Sequence, residues 1–539
     1  MHCPRLHLLL LLALFCTSSA SAATPGGKKI IEYGWDAPTT AYVREHVRDM
    51  EKLPFDGVVI KVMSSPAEHG DPLGWQVASG KKFEPPQYEH AIADLRATKF
   101  ARLTDNFVQV IFAPGIGWFD SDWSSLAHNA ACLARVAKLG RCKGIMLDCE
   151  DYGSGIWCYD RLKARDKASH SYEDYAKQVR QRGIEFVRAL NKEFPDLTLL
   201  CLIGPSLNYV NLHPESERYG LMFYFFEGMW EAASPDTLIV DGFEAAYGYR
   251  KRGWFDFARN EILTYARMAA RDRQAYDKHI RAGIGIWADN NSSNQGWHPE
   301  DFSKNYFSPA GFRASLAYGL EASDGYVWVY SERLNWWKHE APAPYPQALD
   351  LAKTGPGAGD EPPELRLKAL ASKQPGYSDE VTFAEMRKEM TEIYDFPRDG
   401  WRFSTDPSNT GEKNGWEKSN FDDSKWRSIG IGKFWEEQGV LENEDYDGYG
   451  WYRLGFTAPS LASGKRVFLA VGAADESAWA WVNGKPVGGH DVGGGGWEIP
   501  FALDITDALK PAAENSVAVK VLDRMQSGGL WKSIKLMTR

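Results

Sequence analysis

The stretch "KGIMLDCEDYG", residues 143–153, begins as an apolar run and breaks abruptly into three carboxylates, Asp148, Glu150 and Asp151. A short run of consecutive apolar residues is typical of a strand that is buried on both faces, as in a parallel sheet. The stretch therefore predicts a buried parallel strand that presents acidic side chains at its carboxyl end.

Seven further runs of this kind lie between residues 29 and 331, and successive runs begin 28 to 53 residues apart with helical patterns between them. Eight strands that alternate with helices predict a (β/α)8 barrel. A doubly wound open sheet is the alternative, but no glycine-rich phosphate loop follows the first run, as a dinucleotide fold requires. The eight runs are "KIIEYGW", "GVVIKVM", "FVQVIFAP", "GIMLDCE", "LTLLCLIG", "TLIVDGFE", "AGIGIWA" and "GYVWVYS".

Composition divides the chain into segments. Residues 1–23 combine Arg5, an apolar run and small residues near Ala22, which predicts a signal peptide and a secreted or periplasmic protein. We assign residues 24–338 to the barrel and residues 339–380, rich in proline and glycine, to a linker. Residues 381–539 alternate apolar and polar positions between glycine, asparagine and aspartate turns, which predicts an antiparallel β-sandwich.

Net charge and hydropathy exclude some classes of binding partner. The formal charge is −10, and no basic block is present that could follow a phosphate backbone, so nucleic acid is excluded as a partner. No stretch after the signal is long and apolar enough for a transmembrane helix. The sequence carries neither a cofactor motif nor a metal-ligand spacing, so we predict no cofactor and no metal. It does not indicate an oligomeric state.

Ordered motifs in the last 140 or so residues carry a family resemblance. They resemble the sugar-binding jelly-roll domain of family 2 glycoside hydrolases, the β-galactosidase and β-glucuronidase family, and this resemblance implies a galactose-binding-like sandwich associated with glycans. In that family the domain precedes the barrel, whereas here it follows. The family's Asn-Glu pair has no counterpart in "LDCEDYG", so no catalytic residue is carried over. The motifs are "WEKSNFDDSKWRSIGIGKFWEEQG", "YDGYGWYRLGFTAP", "GAADESAWAWVNGKPVGGH", "DITDALK" and "GGLWKSIKL".

The carboxylates of the fourth run predict acid–base chemistry. Residues two apart on a strand share a face, so Asp148 and Glu150 point the same way, at the end of the barrel where catalytic side chains collect. We expect Asp148 to raise the pKa of Glu150, which then acts as general acid. The second carboxylate, as nucleophile or base, is Glu244 or Asp289, and the pattern does not rank them. The alternative is that Asp148 caps the next helix and Glu150 is merely solvated.

Other strand ends supply candidate substrate-binding residues. Indole faces stack on sugar rings, and polar side chains at a barrel mouth suit many hydroxyl groups. The candidates are Glu32, Asp36, Lys61, Trp118, Asp120, Tyr152, Trp287, Glu332 and Trp336.

These features together favour a secreted glycoside hydrolase that acts on an oligo- or polysaccharide. One alternative is a carbohydrate-binding protein on an inactive barrel. Another is a polysaccharide lyase, for which Lys61 and Tyr152 supply basic or phenolic groups. The sandwich either binds glycan, through Trp435 and the loop that follows it, or only supports the barrel.

Overall fold

The computed structural model describes residues 27–66, 70–112, 116–166, 170–291, 296–357, 382–440, 446–462 and 464–539. The predicted signal peptide, residues 1–23, lies outside the described residues. So does the greater part of the predicted linker, from residue 358 onward.

The N-terminal part of the chain is a closed barrel of parallel strands. The strands are β1 Lys29–Gly34, β2 Gly57–Ile60, β3 Phe107–Ile111, β4 Gly144–Asp148, β5 Thr198–Cys201, β6 Leu238–Asp241, β7 Ile280–Trp287 and β8 Tyr326–Ser331. Every neighbouring pair is parallel, and β1 pairs with both β2 and β8. The closure confirms the (β/α)8 prediction and rules out the open sheet, because an open sheet leaves its first and last strands unpaired.

Helices cover the outside of the barrel. They are α1 Thr40–Met50, α2 Glu89–Ala97, α3 Trp123–Leu139, α4 Tyr159–Asp166, α5 Tyr172–Glu193, α6 Met222–Ala232, α7 Arg252–Asn260, α8 Ala266–Ala269, α9 Arg273–His279, α10 Pro309–Ala322 and α11 Pro344–Ala352. The longest, α5, begins with a capping box in which Ser171 and Asp174 satisfy each other's backbone N–H groups. Within the described part of the chain, no helix is long and apolar enough to cross a membrane.

Side chains alternate along the barrel strands between two separate cores. Ile31, Tyr33, Met146 and Trp328 belong to the core inside the barrel, whereas Ile30 belongs to the larger core between the strands and the helices. This alternation fixes which strand residues can reach the mouth. Asp148 has the same parity as Met146 and therefore faces inward.

The first part of the segment predicted as a linker packs against the barrel. Within it α11 runs from Pro344 to Ala352, and its Tyr345 and Leu349 are fully buried. The Tyr345 hydroxyl donates to Phe307 O at 2.7 Å and accepts from Asn305. Periodic apolar residues inside a proline-rich stretch thus make a short helix that closes the barrel's outer layer.

The C-terminal part is a two-sheet antiparallel sandwich preceded by a short helix, α12 Ala384–Glu389. One sheet has the order β11-β10-β12-β17-β14-β15 and the other β16-β13-β18-β9. This confirms the predicted sandwich fold. The strands are β9 Thr391–Asp395, β10 Trp401–Thr405, β11 Arg427–Ile429, β12 Gly448–Thr457, β13 Val467–Val471, β14 Ser477–Val482, β15 Lys485–Asp491, β16 Phe501–Asp504, β17 Glu514–Asp523 and β18 Ile534–Thr538.

Polar contacts join the sandwich to the barrel between β6 and β7, at the start of α7 and in the helical segment Glu261–Tyr265 that follows it. Lys251 Nζ lies 3.0 Å from Asp447 Oδ2, and the Tyr265 hydroxyl donates to Asp491 Oδ1 at 3.1 Å. The backbone N–H of Gly494 donates to Glu261 at 2.9 Å. The sandwich therefore contacts the part of the chain between β6 and β7.

Candidate active site

Asp148 ends β4 and faces the barrel interior with only 2% of its surface exposed. Its Oδ1 accepts the backbone N–H of Glu150 at 2.8 Å, and its Oδ2 accepts the Tyr152 hydroxyl at 2.6 Å. Burial raises the pKa of Asp148 to about 6, although these two hydrogen bonds oppose the rise. At neutral pH Asp148 is therefore a fixed acceptor that orients Tyr152.

Glu244 opens a short 3₁₀ helix, Glu244–Gly248, directly after β6. Its backbone N–H donates to Leu202 O at 3.1 Å, which holds the start of this helix beside β5. Burial, followed by the negative charges of Asp148 and Glu150, raises the pKa of Glu244 to about 8, and Arg218 opposes this. A carboxyl with this pKa keeps its proton at neutral pH and is suited to act as a general acid.

Glu150 lies at the outer part of the same mouth, where its side chain is about one-third exposed. Arg218 Nη2 is 3.6 Å from Glu150 Oε1, and Arg218 also donates to the backbone oxygen of Asp151. Glu150 therefore has Arg218 as an ion-pair partner, whereas burial raises the pKa of its neighbour Glu244.

Asp289 was the other candidate for the second carboxylate, and all its contacts are structural. It accepts the indole N–H of Trp287 and the backbone N–H groups of Glu332, Arg333 and Leu334, at 2.7 to 3.1 Å. Only 2% of its surface is exposed. Because four donors occupy its oxygens, Asp289 anchors the loop after β8.

Aromatic side chains that sequence reasoning missed form one wall of the mouth. The rings of Tyr247 and Tyr330 are stacked with centroids 5.2 Å apart, and Tyr247 also contacts Trp328 and Trp287. Tyr33 is 6.1 Å from the rings of both Trp328 and Tyr330. Strand parity could have identified Tyr33 and Tyr330, since they alternate with the outward-facing positions of β1 and β8.

Three exposed aromatic side chains lie at the rim. Tyr152 is 50% exposed and contacts Trp75, itself 51% exposed, at a ring separation of 5.4 Å. Trp35 is 74% exposed and donates its indole N–H to the Tyr330 hydroxyl at 2.8 Å. Exposed rings held by their neighbours offer flat stacking surfaces for sugar rings. Glu332 is also exposed at this rim, next to Tyr330.

The structure argues against substrate contact for two predicted tryptophans. Trp118 is fully buried, stacks on Trp123 at 5.0 Å and donates to Ile156 O. Trp336 is also fully buried and donates to Ser331 Oγ at 2.8 Å. Both sit just past a strand end, but their loops turn them into the core between strands and helices.

Asp120 and Glu32 are also displaced from the mouth. Asp120 is exposed near α5, where it accepts the backbone N–H of Gly117 and its carbonyl contacts Arg182. Glu32 is fully buried and has the outward parity of Ile30 on β1, so it faces the helices.

Glu32 belongs to a small charged cluster behind β1. Burial and the negative charge of Asp36 raise the pKa of Glu32 well above its usual range. Asp36 accepts the backbone N–H of Trp336 at 2.8 Å, and Lys61 donates to Trp35 O at 3.3 Å. These hydrogen bonds fix the loops that carry Trp35 and Trp336, so the cluster has a structural role beside the mouth.

The sandwich residue expected to meet glycan, Trp435, is fully buried and packs against Phe403 and Tyr446. Three other aromatic residues of the sandwich lie in a row and include an exposed ring. Trp531 lies between Trp497, which is 39% exposed, and Phe434, with ring separations of 5.2 and 5.4 Å. We call Phe434, Trp531 and Trp497 the aromatic row.

Comparisons with known proteins match only part of the chain, and no family model matches it. Over 121 residues it is 33% identical to a β-glucuronidase of Paenibacillus borealis, which is 22% of this chain and 20% of that protein. Over 112 residues it is 30% identical to a β-glucuronidase of Formosa agariphila, which is 19% of this chain and 11% of that protein. The chain thus spans about a fifth or less of the length of these relatives.

Among solved structures, the β-glucuronidase of Lactobacillus rhamnosus aligns over 28% of each chain at 29% identity, with a TM-score of 0.24. The partial sequence similarity to β-glucuronidases agrees with the resemblance carried by the C-terminal motifs. The closed barrel is the fold that the strand pattern predicts for the N-terminal part of the chain.

Proposed function

We propose that this chain is a glycoside hydrolase whose barrel mouth cleaves glycosidic bonds in an oligo- or polysaccharide. The observation that carries the proposal is the coexistence in one aromatic-lined mouth of a carboxyl that keeps its proton, Glu244, and an ion-paired carboxylate, Glu150. Glycoside hydrolysis uses two carboxyl groups, one of which donates a proton while the other acts as nucleophile or base.

In the proposed reaction Glu244 donates its proton to the glycosidic oxygen as the bond from that oxygen to the anomeric carbon breaks. Glu150 faces the positive charge that develops on the sugar ring and acts as nucleophile or as base toward water. Water adds at the anomeric carbon, and its proton returns to a carboxylate. The sequence predicts Glu150 as the general acid. In this assignment Glu244 takes that role, because burial raises the pKa of Glu244 to about 8.

The remaining residues of the mouth position the substrate. Burial raises the pKa of Tyr33 and Tyr330, so their hydroxyls stay protonated and can donate to sugar hydroxyls. Trp75 and Tyr152 at the rim suit stacking under a neighbouring sugar ring. The Tyr152 hydroxyl already donates to Asp148, and its pKa is raised, which makes it a poor base for a lyase. The pattern of residues 1–23 supports export of the enzyme.

The test is a panel of aryl glycosides and natural glycans assayed for new reducing ends. Aryl β-glucuronides belong in the panel because the partial relatives are named β-glucuronidases. We expect new reducing ends from the wild type, their loss in Glu244→Gln, and their retention in Glu173→Gln, a matched change on the exposed face of α5.

Two results would defeat the proposal. Products that absorb in the ultraviolet through an unsaturated sugar would identify a lyase. Saturable glycan binding without any product from any substrate would identify a binding protein.

A further inference from the structure

A second group of carboxylates lies in the sandwich, outside the candidate active site. Asp475 and Glu476 come just before β14, and Asp523 ends β17. Ligand oxygens from all three lie within 4.8 Å of one another. The three residues are 5%, 5% and 1% exposed. Three buried acidic groups in contact need either protons or a cation to offset their charge.

Two of these carboxylates have an oxygen without a donor. Asp475 Oδ2 and Asp523 Oδ2 are buried, and no N–H or O–H group among the described residues donates to them. The two carboxyl groups neighbour each other, so one can donate to the other only when it carries a proton. The other Asp523 oxygen, Oδ1, accepts the backbone N–H of Met525 at 2.8 Å. Within the described part of the chain, each of these two aspartates therefore keeps a buried oxygen that is available to a ligand.

The nearest cation does not offset the cluster. The Arg524 guanidinium is 3.6 Å from Glu476 Oε2, but it is also 3.2 Å from Asp491 and donates to the Tyr265 hydroxyl of the barrel. One guanidinium is thus shared by several acceptors, and its positive charge only partly opposes the repulsion at Asp475. Burial and mutual repulsion raise the pKa of both aspartates well above the usual range.

We propose that Asp475, Glu476 and Asp523 bind a Ca²⁺ ion. Ca²⁺ takes six to eight oxygen ligands at about 2.3–2.6 Å, so opposite ligands lie about 4.6–5.2 Å apart, and the oxygens of this cluster suit that spread. A ligand set made of oxygen alone is unsuited to zinc, which prefers nitrogen and sulfur. Water and backbone carbonyls complete the shell.

The position of the site gives the ion a role in holding the two domains together. Asp523 leads directly into a loop whose Arg524 contacts Tyr265 and whose Met525 sulfur accepts the Tyr249 hydroxyl, both on the barrel. An ion bound at Asp523 fixes the start of this loop. Calcium then stabilises the docked arrangement of sandwich and barrel, independently of any catalytic activity.

The test uses the full chain after treatment with EDTA and desalting. We expect about one Ca²⁺ per chain by elemental analysis after re-addition, and a rise in Tm of about 3 °C or more in 1 mM CaCl₂. Asp523→Asn should abolish both responses. The control Asp507→Asn, an exposed aspartate of the same domain, should retain them.

Opposite results identify a proton-sharing cluster and overturn the proposal. In that case calcium leaves the Tm of the wild type unchanged. In addition, Asp523→Asn or Asp475→Asn raises the Tm, because the new amide supplies the missing hydrogen-bond donor. If Asp523→Asn does not fold, metal content of the wild type and the Asp475→Asn response decide the question. Equal stabilisation by Mg²⁺ at the same concentration would reject calcium as the specific ion.

Discussion

The two carboxylate clusters of this protein contain the same chemical groups in different surroundings. In the barrel mouth Asp148 accepts the Tyr152 hydroxyl, Glu150 pairs with Arg218, and burial raises the pKa of Glu244 to about 8. In the sandwich, Asp475 and Asp523 each bury an oxygen to which no group of the described residues donates. The two clusters thus differ in solvent access and local donors, and under our two proposals this difference separates a cluster that moves protons from one that binds a cation.

The largest expected effect is at the mouth. Glu244→Gln removes the proton source while preserving shape, so kcat on a natural glycan should fall by about 10²- to 10⁴-fold. Aryl glycosides with activated leaving groups need little acid assistance and should lose less. A loss that is the same for both kinds of substrate would show that Glu244 is not the acid.

The pH dependence of kcat/KM should show the titrations of Glu244 and Asp148, the two carboxyl groups of the mouth whose pKa is raised. Above about pH 8 Glu244 loses its proton, so kcat/KM should fall tenfold per pH unit. Below about pH 6 Asp148 becomes protonated and is no longer a fixed acceptor for the Tyr152 hydroxyl, so activity should also decline. The profile is bell-shaped in the wild type, and the alkaline limb should vanish in Glu244→Gln. An alkaline limb that persists in this variant would assign the titration to another group.

Stability should change in opposite directions in the two clusters. The pKa of Glu244 is raised in the folded state, so its contribution to stability is complete below about pH 4 and is lost as pH rises to about 8. At pH 9, Glu244→Gln should therefore raise the free energy of unfolding by about 1–3 kcal/mol. In calcium, Asp523→Asn should lower it. Urea unfolding at pH 9 measures the free energy of unfolding of both variants. A change of the same sign in both would contradict the difference that we draw between the two clusters.

The smallest expected effects concern exposed aromatic side chains. Trp75→Ala removes a stacking face at the mouth, so KM for short oligosaccharides should rise about two- to tenfold. Trp497→Ala, in the aromatic row of the sandwich, should leave short substrates unchanged and weaken only long polymers if the sandwich binds glycan. Kinetics on both substrate lengths distinguish these cases. No change on polymer would leave the sandwich with a supporting role alone.

The sequence predicts the barrel strands well, because burial on both faces of a strand requires a continuous run of apolar residues. All eight barrel strands were predicted, because parallel strands between two cores have few polar positions. The placement of Trp118 and Trp336 could not be predicted, because it depends on how each loop folds back into the core. Likewise Arg218 lies far from Glu150 in sequence, and only the fold brings them together.

The account depends most directly on the protonation of Glu244, which ¹³C NMR of the labelled side-chain carboxyl measures. The resonance is assigned by its disappearance in Glu244→Gln and followed from pH 4 to 10. A titration midpoint near pH 8 is predicted, because burial and the charges of Asp148 and Glu150 disfavour the ionised form. A midpoint between pH 4 and 5 would mean that Glu244 is ionised at neutral pH and would contradict its role as the acid.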